Sequence, residues 1–193
     1  MKSVETFRAR NSLVLAGIAY LMLTLFVVSE IINGSASDVL VALSVATLIG
    51  QSAYLIFQRP ALKLSDESLT IINPFKSFTI GWQDIENIEV RYALEIETTA
   101  GEKIYSWAAT APGRYHSRNI HPSETRGLGL EEIIRPGESP RVDSGVAAYL
   151  VRNRHRERRA IAKALRIDRH NTTGLIAIAA NALIAIALIA LHA

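Results

Sequence analysis

Three long apolar runs limit this chain more than any other feature. Residues 12–32 read SLVLAGIAYLMLTLFVVSEII, with Glu30 as the lone ionisable group, close to the end; residues 39–57 carry no charge; residues 173–191 are interrupted only by the amide of Asn181. About 20 such residues cross a hydrocarbon core of ~30 Å. The pattern predicts a transmembrane hairpin over 12–57, turning at residues 33–38, and a C-terminal transmembrane helix over 173–191. A cleaved signal peptide is the rival reading of the first run, but its apolar core would span only about 7 to 15 residues. Lys2, Arg8 and Arg10 precede the first run, the turn has no Lys or Arg, and Arg59 and Lys63 follow the second. The positive-inside rule then puts the N-terminus and the middle region in the cytoplasm and the C-terminus outside. Small residues recur at helical spacing at Ala42, Ala46 and Gly50, and again at Gly174, Ala177, Asn181 and Ala185. These faces are expected to pack helix on helix, with Asn181 as an interhelical hydrogen-bonding group.

Between the second and third runs the pattern changes to alternation. Short β-branched stretches at 61–64, 68–72, 77–80, 94–98 and 103–107 are separated by Asp66-Glu67, Asn73-Pro74 and Ala100-Gly101. That punctuation predicts about six short strands in an antiparallel sandwich or partly open barrel over 60–110. Residues 82–88 predict a helical turn or bulge leading into a strand at 88–92, with Trp82 as a core anchor and Trp107 as a second. Alternation places Glu95 and Glu97 together on an exposed strand face.

Two spans followed by Arg59-Pro60, Leu64-Ser65-Asp66-Glu67-Ser68-Leu69-Thr70, Gly81-Trp82-Gln83-Asp84-Ile85 and Ser106-Trp107-Ala108-Ala109 resemble actinobacterial membrane proteins with a bacterial pleckstrin-homology domain. The low molecular weight protein antigen 6 family is the named group, and the likeness covers about residues 12–114. It implies a pleckstrin-homology-like β-sandwich closed by a C-terminal helix, and no known enzymatic activity. Many such domains in eukaryotes hold phosphoinositides with basic side chains at the first hairpin. Here that turn is Asp66-Glu67 with only Lys63 nearby, so the phosphoinositide role is not carried over.

Residues 111–143 contain Pro112, Pro122, Pro136 and Pro140 and read as a flexible linker. Its His116 and His121 stand five apart with no supporting ligands, so no metal is expected. From 144 to 169 no Pro or Gly follows Gly145, and a long basic amphipathic helix is predicted. At about 100° per residue, Arg152, Arg156, Arg159, Lys163 and Arg166 share one face, opposite Val146, Leu150, Ile161, Ala164 and Leu165. The five cations are the candidate site for anionic lipid, against the plainer reading that they are solvated and serve only orientation. Without aromatic interleaving or a recognised module, no nucleic-acid partner is expected. The chain has no cysteine, which excludes disulfides, thiolate nucleophiles and cysteine-ligated metal centres. No cofactor is expected. The reading is therefore an α+β integral membrane protein, non-enzymatic, serving as a membrane-anchored binding or regulatory module. Its alternative is an accessory subunit of a membrane transport or envelope-lipid assembly complex, with a membrane-protein partner or a second copy of itself.

Overall fold

The structure, a computed structural model, describes residues 4–111, 142–160 and 164–192. It is mixed helix and sheet and divides into two units.

The helical unit holds α1 (Arg10–Asn33), α2 (Ala36–Ala53) and α4 (Thr172–His192). All three segments are long and apolar enough to cross a membrane. The turn between α1 and α2 is tight because Ser35 caps α2: Asp38 N–H donates to Ser35 Oγ at 3.3 Å, and Ser35 N–H donates to Asp38 Oδ2 at 2.7 Å. This reciprocal pair satisfies two backbone donors that a helix start leaves open. α2 packs against both α1 and α4. At its far end α2 widens into a π-helical turn, Tyr54–Gln58, closed by Arg59 N–H donating to Tyr54 O at 2.8 Å.

The other unit is built on two sheets. The strands are β1 (Glu5–Phe7), β2 (Ala61–Leu64), β3 (Ser68–Ile72), β4 (Lys76–Gly81), β5 (Ile85–Val90), β6 (Ala93–Thr98), β7 (Lys103–Thr110) and β8 (Ile167–His170). One sheet runs β1-β2-β3-β4-β8 and the other β5-β6-β7. Neighbours from β1 to β4, and from β5 to β7, pair antiparallel. A 3-10 turn, Trp82–Asp84, carries the chain from one sheet to the other. The β6–β7 turn needs Gly101, whose φ of 76° lies in the left-handed region that L side chains avoid. One apolar core lies between the sheets, formed by Leu62, Leu69 and Ile80 from the first and Ile88, Leu94 and Ile104 from the second. Trp82 is fully buried in it, and its indole N–H donates to Ser65 O at 3.1 Å.

Three expectations need correction. The helix expected over 144–169 ends early: α3 spans Asp143–Arg158, and Ile167–His170 is an edge strand. No Pro or Gly stops the helix there. The open edge of β4 competes for the segment, and tertiary pairing overrides local propensity. Glu95 is buried, not exposed, because Lys103 and Arg91 on the flanking chain fold over it at 3.0 and 3.9 Å. Trp107 is half exposed and does not anchor the core. The linker expected at 111–143 falls, beyond Ala111 and before Val142, outside the described residues.

Candidate functional site

Helix α3 closes the two-sheet unit, touching β2, β5, β6 and β7. Its buried face is Ser144, Gly145, Ala147, Ala148 and Val151, while Tyr149 is exposed and Val146 and Leu150 are only partly covered. Small side chains let the helix axis approach the sheets closely, which larger ones on the expected apolar face would prevent. Leu165, expected on that face, is exposed beyond the helix.

Arginines then fasten the helix. Arg152 donates from Nη2 and Nε to Ile88 O at 2.8 and 3.2 Å. Arg154 reaches Asp66 at 3.3 Å and Glu5 at 3.4 Å, and Arg158 reaches Asp66 at 2.9 Å. The acidic Asp66 turn is thus spanned by two guanidinium groups, a non-local pairing that sequence spacing does not reveal. His155 lies against the Trp82 ring, with centroids 6.4 Å apart. Burial, reinforced by Arg159, lowers its pKa against hydrogen bonds to the backbone at Ile85 and Trp82.

Of the five cations expected on one lipid-facing stripe, four lie among the described residues, and two of these are engaged with the fold. Arg152 bonds to the sheet. Arg166 lies beyond α3, where it pairs with Glu102 and with Asp168 at 3.2 Å; both carboxylates raise its pKa. Lys163 lies outside the described residues. Arg156 and Arg159 are exposed, the first within α3 and the second just after it.

In the helical unit, Ala42 and Ala185 are buried, Ala46, Gly50, Gly174 and Asn181 are partly covered, and Ala177 is exposed. Gly50 faces α1, where an added Cβ would lie 3.8 Å from Leu23 and Tyr20. The amide nitrogen of Asn181 is buried without a hydrogen-bond partner among the described residues.

A feature that sequence reasoning missed is a cavity of about 290 Å³ between the last turns of α2 and the first of α4, lined among others by Arg59, Asn171 and Ala177. Asn171 caps α4, accepting from Gly174 N–H at 3.3 Å, and donates from Nδ2 to Pro74 O at 3.1 Å. Arg59 donates to the same carbonyl at 3.0 Å. The signals in the sequence were Arg59, read there as a topology flank, and Gly174 and Ala177, read there as helix-packing positions.

Among the described residues, no group of three or more His, Asp or Glu is placed to hold a metal. Comparison of the chain with protein-family models, with curated proteins and with solved structures gives no match.

Proposed function

We propose that the chain is an integral membrane protein whose two-sheet unit is a non-enzymatic binding or regulatory module of pleckstrin-homology type, held at the cytoplasmic face. The observation that carries this reading is the pairing of β1 with β2, Glu5 opposite Leu64 and Phe7 opposite Leu62. These strands flank the α1–α2 hairpin in sequence, so the chain leaves the unit, runs through two apolar helices and returns to it. Two crossings between paired strands are consistent with both lying on one side, and the Lys/Arg asymmetry supports the cytoplasmic side. The pleckstrin-homology assignment draws on two antiparallel sheets closed by a following helix, together with the W-x-D-I step at Trp82. The anionic-lipid role expected of the basic segment is retained for Arg156 and Arg159 only, because Arg152 and Arg166 already serve the fold.

Isolation of the tagged full-length chain in mild detergent tests the reading, with Trp82→Ala as the variant that loosens the two-sheet unit and leaves the apolar helices intact. Partners that require the intact unit support a binding module. A stoichiometric membrane protein retained equally by the variant overturns it in favour of the accessory-subunit reading.

A further inference from the structure

The cavity beside Arg59 has a graded lining. Arg59, Asn171 and Thr173 form one end, and Leu55, Ala177 and Ile178 form the other. Arg59 directly follows the span that ends at Gln58, and α4 begins at Thr172, so the polar end sits where a bilayer has its headgroups. Ala177 and Ile178 lie one to two turns deeper, about 8 Å at 1.5 Å per residue, among acyl chains. Gln51 lies deeper along α2, about 12 Å from Arg59 by the same rise, and its buried amide oxygen has no hydrogen-bond partner among the described residues. Rotation about χ3 lets that amide present either its oxygen or its nitrogen.

Charge in this unit is sharply divided. Its only side-chain carboxylates, Glu30 and Asp38, stand at the opposite end of the hairpin, roughly 30 Å along α2 from Arg59. Arg10, Arg59 and Lys76 are its Lys and Arg residues, all at or near the same end as the cavity. Burial lowers the Arg59 pKa, the mark of a partly desolvated cation that an anion would stabilise. The start of α4 adds partial positive charge from its N-terminal N–H groups.

We propose that this cavity binds one anionic glycerophospholipid of the inner leaflet, its phosphate at Arg59 and Thr173 and an acyl chain along Leu55, Ala177 and Ile178. The inference rests on α2 and α4 being membrane-inserted, which resistance to alkaline carbonate extraction reads separately from lipid binding.

The test is native mass spectrometry of the full chain released from nanodiscs holding equal phosphatidylglycerol and phosphatidylcholine. The expected result is one retained lipid, phosphatidylglycerol favoured by roughly five- to tenfold. Arg59→Gln should abolish that preference, Arg59→Lys should restore most of it, and Ala177→Phe should displace the lipid by filling the apolar end. Millimolar glycerol phosphate should not compete, because it lacks the acyl chain. Equal retention of both lipids by the parent, an unchanged preference in Arg59→Gln, or full competition by glycerol phosphate would overturn the proposal.

Discussion

Trp82 is the largest fully buried side chain among the described residues. Its ring is fully buried, its N–H is satisfied by Ser65 O, and the imidazole of His155 stands beside it. Trp82→Ala removes that volume and leaves a cavity, so it should destabilise the unit by about 3–5 kcal/mol, read as a fall in thermal midpoint of the full chain in detergent. His155 makes the same region sensitive to pH. Its folded pKa lies below the ordinary value of 6.5, first through desolvation and then through Arg159. The contribution to stability is therefore complete above the unfolded pKa and is lost as pH falls through the folded one. The midpoint should drop as pH falls below the ordinary imidazole value. His155→Gln should flatten that part of the profile, and an unchanged slope in the variant would assign the titration elsewhere. The burial of Trp82 was legible because an indole in an alternating apolar stretch has few places to go. The burial of Glu95 was not, since it depends on Lys103 reaching across from the neighbouring strand.

Among the elements, β2 and β3 lie where alternation and turn residues put them, at Ala61–Leu64 and Ser68–Ile72. β1 and β8 escaped notice because they are only three and four residues long, and each exists through an edge that the rest of the sheet supplies. Helix α3 was visible, but its length and its buried face were not. A 3.6-residue period marks which residues share a side; it does not say whether the sheets prefer the larger or the smaller side chains. The corrected face makes a sharp contrast. Ala148→Leu, at 1% exposure, should cost about 1–3 kcal/mol by overpacking against the sheets. Tyr149→Ala, at 69% exposure, should stay within about 0.5 kcal/mol. Equal effects on the thermal midpoint would contradict a buried face made of the small residues of α3. The cavity beside Arg59 was beyond sequence reading for a related reason: a π-helical turn and a cap over a hundred residues away meet there only in the folded chain.

For the whole molecule, the proposed function carries one arrangement across a bilayer: the N-terminal strand and both sheets on one side, and the turn between α1 and α2 and the C-terminus on the other. The absence of native cysteine makes this directly measurable, because each introduced thiol is the only one in the chain. Ser37→Cys in the hairpin turn, Ala100→Cys in the β6–β7 turn and Ala193→Cys at the C-terminus should each be treated in intact cells with a membrane-impermeant maleimide, then again after permeabilisation. The account predicts labelling of Ser37→Cys and Ala193→Cys in intact cells, and of Ala100→Cys only after permeabilisation. Labelling of Ala100→Cys together with Ser37→Cys in intact cells would contradict it, because the hairpin would then not separate its turn from the sheets that its two ends join.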